Sequence, residues 1–145
     1  MAEILIAVDL GPFSEHVINT GVELANQMNA SITLFTVIEI SMGLGLPETG
    51  PVFTDDIQGR IKEAEDILQG YKDKYPAANI NIRVTTGNPK NETLDEAHDV
   101  QAAMLIVGTH GRTGLNHMLV GSTAEYIIRH ARIPVLVVPY NKEEH

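Results

Sequence analysis

Gly108, Gly111, Gly121 and Ser122 fall in the stretch VGTHGRTGLNHMLVGST at the spacing G-x2-G-x9-G-S, with Gly114 inside the interval. Glycine loses more conformational freedom on folding than any other residue, so such a cluster marks turns or a close approach by another group. The apolar run before it reads as a strand and the sequence after it as a helix. A Gly-Ser pair at a helix start offers unpaired N–H groups and the positive end of the helix dipole, which suit a phosphate. Taken singly, each glycine also fits a plain strand-loop-helix connection with Ser122 as the helix cap. Two other phosphate motifs are missing: no G-x-x-x-x-G-K-[ST] occurs, and the first strand runs into DLGPFSEH instead of G-x-G-x-x-G.

Little else in the chain suggests bond-making chemistry. A phosphoryl-transfer enzyme needs a metal carboxylate, neutralising cations and a group that positions the nucleophile. His110 and His117 lie near the glycines without the spacing of a metal pair, and His16, His98 and His130 fall on helical segments without carboxylate partners at useful spacing. No G-x-S-x-G elbow precedes Ser122, which is better placed as a cap than as a nucleophile. There is no cysteine, which excludes disulfides, thiolate metal sites and cysteine nucleophiles. The expectation is a binding protein with little or no turnover.

Charge and length narrow the partners. Ten Lys and Arg stand against nineteen Asp and Glu, a formal net charge of -9 that repels a polyanion and argues against nucleic acid. A single phosphate-bearing metabolite stays compatible, because local backbone dipoles hold it whatever the net charge. No stretch approaches the roughly 20 apolar residues that span a bilayer, and the N-terminus enters an alternating segment without a basic region or cleavage site. The reading is a cytoplasmic protein, its residues 1–145 forming one globular domain.

The elements that must position the glycines follow from periodicity. Glu3 to Asp9, Ser31 to Ile38, Asn79 to Thr85, Ala103 to Gly108 and Val135 to Val138 are short, rich in β-branched residues and bounded by breakers, as strands are. Val17, Ile18, Gly21, Leu24, Ala25 and Met28 recur at helical spacing behind an N-cap expected at Ser14. A second helix opens at Thr54, Asp55 and Asp56 and carries Ile57, Ile61, Ala64, Leu68, Tyr71 and Tyr75. Pro89 opens a third, PKNETLDEAHDVQ, and STAEYIIRHA forms a fourth that stops before Pro134. Alternating strands and helices imply an open parallel α/β sheet with right-handed crossovers. The continuously apolar strands one and four belong at its centre. Ligands bind such sheets beyond the carboxyl ends of the strands where the winding reverses, here between strands one and four, where the glycine cluster begins.

Two further segments invite a role. Ser41 to Phe53 is a long connection rich in Gly and Pro, read either as a lid or docking surface or as a connection without ligand contact. PVLVVP is an apolar last strand, expected at a sheet edge that invites pairing.

At these residues the chain resembles the ATP-binding branch of the universal stress protein family, whose signature is G-x2-G-x9-G-[ST] between the fourth strand and fourth helix. The likeness extends to ILIAVD with its following serine, to TVIE at the end of the second strand and to RIPVLVVP, and so covers nearly the whole chain. It implies an open five-stranded parallel sheet, doubly wound with helices on both faces, adenine nucleotide alpha hydrolase-like, in the strand order 3-2-1-4-5. It implies ATP, with or without Mg²⁺, as the bound group. Asp9 would then lie beside the ribose or base, or serve only as a turn residue satisfied by backbone N–H groups. Val37 would recognise adenine through its main chain, or be a core residue only, and Gly108 would border the ribose. Gly111, Gly121, Ser122 and Thr123 would give donors to the phosphates, with Arg112 either a mobile cation at the mouth or merely solvated. Ala124 stands where some ATP-binding members carry a second hydroxyl. The resemblance further implies a homodimer through Val135 to Val138 of each copy and a nucleotide-gated regulator of stress response acting through unidentified protein partners. The alternatives are a slow Mg²⁺-assisted ATPase and a nucleotide-free dimeric scaffold.

Overall fold

The computed structural model describes residues 1–40, 54–109 and 121–139. The connection from Ser41 to Phe53, the histidines His110 and His117, and the site candidates Gly111 and Arg112 lie outside the described residues. In chain order the elements are β1 (Glu3–Ala7), α1 (Ser14–Met28), β2 (Ser31–Glu39), α2 (Thr54–Asp73), β3 (Ile80–Gly87), α3 (Pro89–Asp99), β4 (Met104–Gly108), α4 (Ser122–His130) and β5 (Val135–Val138). The five strands form one parallel sheet in the order β3-β2-β1-β4-β5. β1 lies in the middle, with Ile4 opposite Ile32 on one side and Met104 on the other. Among the described residues no helix is long and apolar enough to cross a membrane.

Alternation along the strands divides the core into two layers. Ile4, Ile6 and Val8 of β1 and its continuation join Ile32 and Leu34 of β2 on one face, under Val17, Ile18, Val22 and Ala25 of α1 and Leu68 of α2. Leu5, Phe35, Leu105 and Val107 fill the other face, under Ala97 of α3 and Ala124 and Ile127 of α4. Ile4, Leu5, Ile6, Phe35, Leu105 and Ile106 are essentially removed from water. Burying each such side chain stabilises the fold by about 1.5–3 kcal/mol before entropy is counted. β3 alternates from Ile80 onward, as an edge strand should, and β5 closes the other edge.

Polar groups tie neighbouring elements together. The hydroxyls of Ser31 and Thr33 donate to the two carboxylate oxygens of Glu3 and so tie β2 to β1. Glu96 of α3, 5% exposed, pairs with Arg83 Nε of β3 at 2.7 Å. Burial pushes the Glu96 carboxyl above the usual carboxylate range, against the opposing pull of Arg83.

Two helix starts differ by one residue from the sequence reading. The N-cap of α1 is Phe13, not Ser14; Ser14 is the first helical residue, 2% exposed, and its Oγ donates to Asp9 Oδ1 at 3.1 Å. Its hydroxyl is drawn back to the preceding turn instead of forward to the helix N–H groups. Likewise Gly121 caps α4 and Ser122 is the first residue inside it.

Candidate functional site

Because the sheet is parallel, the carboxyl ends of all five strands lie along one edge, and the amino ends of the helices that follow them lie there too. A cleft of about 360 Å³ opens at that edge. Its walls are the end of β1 (Ala7 to Leu10), the end of β2 (Thr36 to Glu39), the end of β4 (Val107 to Thr109) and the start of α4 (Gly121 to Ala124). Asp9, Val37, Gly108, Gly121, Ser122 and Thr123, far apart in sequence, all line it.

The floor at β1 is a tight turn. Val8 N–H donates to Phe35 O at 2.8 Å, carrying the pairing with β2 one step past the strand. Leu10 then adopts a left-handed φ of 62°, an uncommon conformation for a leucine. Asp9 holds this turn: its Oδ1 accepts from Gly11 N–H at 2.8 Å and from the Ser14 hydroxyl. The turn role read for Asp9 is thus present, and the residue lines the cleft as well.

The wall at α4 is built from backbone. Gly121 N–H donates to Thr109 O at 2.8 Å, and Thr109 N–H donates to Val138 O at 3.1 Å, so the start of α4 is tied through β4 to β5. Gly121 has φ -61° and ψ 159°, open to any residue, so its backbone conformation does not call for glycine. Gly121 has no side chain to cap α4, and a helix start of that kind suits a bound anion.

Lining residues that escaped the sequence reading include Thr36, Thr93 and Arg60. Thr36 and Thr93 are each 3% exposed, and Arg60 of α2 is half-buried at the cleft. Arg60 carried a signal: it precedes Ala64 by four residues and Leu68 by eight, placing a charge on the stripe of α2 that is otherwise buried. The described histidines do not line the cleft; His130 packs against Tyr126, with ring centroids 4.2 Å apart. Among the described residues no three His, Asp or Glu side chains are grouped to hold a metal ion.

The sequence and the fold can be set beside known proteins. A model of the universal stress protein family matches residues 1–139. A universal stress protein of Methanocaldococcus jannaschii is 28% identical over 148 aligned positions, covering 98% of this chain and 84% of that protein. Universal stress protein E of Escherichia coli K12 is 31% identical over 92% of this chain, which spans only 45% of that longer protein. Among solved structures, the universal stress protein UspA of Lactobacillus plantarum superposes with a TM-score of 0.83 at 22% identity, over 94% of this chain and 97% of that one. A universal stress protein family member of Arabidopsis thaliana solved with AMP bound superposes at 0.69 with 17% identity, over 99% and 95%. At those identities the two structures speak for the fold. The family match, in contrast, runs from β1 through β5 and takes in every described element, and the chain therefore belongs to the universal stress protein family.

Proposed function

We propose that this chain binds an adenine nucleotide, ATP foremost, in the cleft at the carboxyl edge of the sheet, and acts as a nucleotide-gated regulator of stress response. The observation that carries the reading is the convergence of the ends of β1, β2 and β4 on an α4 start without a side-chain cap, at Gly121 and Ser122. Phosphates would lie at Gly121, Ser122 and Thr123, where N–H groups and the helix dipole favour negative charge. The ribose would lie between Asp9 and Gly108, and the base against the main chain of Val37. Gly111 and Arg112 would add donors from the segment between β4 and α4. AMP in the Arabidopsis relative supports an adenine nucleotide as the class of ligand. A Mg²⁺ ion arriving with ATP would be held chiefly by the phosphates, as this ion commonly is.

The domain so defined takes in residues 1–145 and works in the cytoplasm as a homodimer joined along Val135 to Val138, with protein partners and not nucleic acid or membrane downstream. Turnover is slow or nil: single-turnover hydrolysis stays below the roughly 1 s⁻¹ lower end of typical enzymes. The deciding experiment is calorimetric titration of Mg-ATP into nucleotide-stripped protein and into Gly121→Val, with circular dichroism to check that both are folded. Saturable binding to the wild type, lost in the folded variant, is expected. Absence of binding to the folded wild type would overturn the reading and leave the dimeric scaffold in its place.

A further inference from the structure

Arg60 lines the cleft but has no part in the nucleotide reading above. It lies on the stripe of α2 that continues through Ala64 and Leu68, which are 1% and 0% exposed. Those two meet the core beneath; Arg60, two turns into a helix that begins at the ligand edge of the sheet, overhangs the strand ends instead. An arginine there rests its aliphatic stem on apolar surface and keeps its head in a polar setting. Carboxylates are plentiful in a chain of net charge -9, and four of the other described cations find them, Lys62 with Asp66, Lys74 with Glu15, Arg83 with Glu96 and Arg129 with Glu125, while Lys72, Lys90 and Arg132 do not line the cleft. Among the described residues Arg60 is in none of these pairs.

Its place in the cleft restricts what it can touch. α2 packs on β2 and β3, whereas α4 packs on α3 and its first residues lie by the end of β4. Arg60 therefore approaches from the β2 end, away from the α4 start. Alternation along β2 sets Thr36 on the same face of the sheet as Ile32 and Leu34, the face covered by α1 and α2, and Val37 with Phe35 on the opposite face. A flat group seated against the Val37 main chain thus has Thr36 and Arg60 on its α2 side.

We propose that Arg60 contacts the nucleobase, with its guanidinium stacked on or donating to the purine ring at the β2 end of the cleft. This rests on the adenine-nucleotide reading and adds the residue that would grip the base. A planar, delocalised and weakly hydrated guanidinium stacks on π faces, and its N–H groups suit ring nitrogens that only accept. A lysine offers a point charge without the plane.

The experiment is a set of calorimetric titrations of AMP, adenosine and ribose 5-phosphate into wild-type chain, Arg60→Ala and Arg60→Lys, with melting curves alongside. Alanine suits a helix interior, so the variant is expected to fold. Arg60→Ala should weaken AMP and adenosine by the same factor, about 2- to 30-fold, and leave ribose 5-phosphate unchanged. Arg60→Lys should fall between. A loss confined to the phosphate-bearing ligands would assign Arg60 to the phosphate and overturn the proposal, and unchanged AMP binding in Arg60→Ala would overturn it outright. Wild-type chain that binds none of the three would instead bring down the nucleotide reading on which it rests.

Discussion

At Gly21 α1 packs closely on the sheet: a Cβ there would lie 2.4 Å from Ile6 Cδ1 and 3.3 Å from Ile106 Cδ1, so the buried Ile6 side chain would have to shift. Gly21→Ala is expected to destabilise the fold by about 1–3 kcal/mol through overpacking, despite the better helix propensity of alanine, as read by urea unfolding. Periodicity places Gly21 on the buried face of its helix, but which neighbours it meets depends on β1 before it and β4 far after it. Glu96 is a second buried position with a measurable consequence. Its raised pKa means that the folded state holds the proton more firmly than the unfolded state, so ionisation costs stability as pH rises through that range. Glu96→Gln should therefore match the wild type near pH 4 and exceed it at pH 7, a difference visible in melting curves at the two values. Equal stability at both would show that the pair with Arg83 fully offsets burial. The candidate site was legible at this scale where residue type and spacing coincide, as at Gly108, Gly121 and Ser122. Arg60 and Thr93 were not read because their place at the cleft comes from helices packed across the sheet.

At the scale of elements, α3 shows a start and a stop of different legibility. Its start is written in Asn88-Pro89: the Asn88 side chain accepts from Lys90 N–H at 2.9 Å, and proline fits the first turn. Asn88→Ala should cost about 1 kcal/mol, read from the shift of the denaturation midpoint. The helix ends at Asp99, two residues before the expected Gln101, because Gln101 turns left-handed with φ 54°. Glutamine is no habitual turn former, so nothing in the local sequence announces that stop. α1 gives the same lesson, its cap moving to Phe13 because Asp9 claims the Ser14 hydroxyl. The central strands needed less context: runs such as ILIA and MLIV are apolar on both faces, as strands of a covered parallel sheet are.

For the whole molecule, the order β3-β2-β1-β4-β5 places β5 on an edge, with Val135, Leu136 and Val137 only partly covered. An apolar edge of this kind pairs with another unless something covers it, and two copies meeting about a two-fold axis would hide both. Val137→Lys should convert the proposed dimer to monomer by light scattering, while circular dichroism keeps its α/β signature; an unchanged mass would remove that interface. The interior places of β1 and β4 were legible in their apolar runs, whereas the full order came with the family resemblance, since right-handed crossovers by themselves leave other orders open. The hydrogen bond from Gly121 to Thr109, anchored in turn to Val138, joins the two ends of residues 110–120 independently of what lies between them. Closing a connection at its base makes its interior an exchangeable cassette, since extra length there adds little closure entropy and α4 keeps its seat.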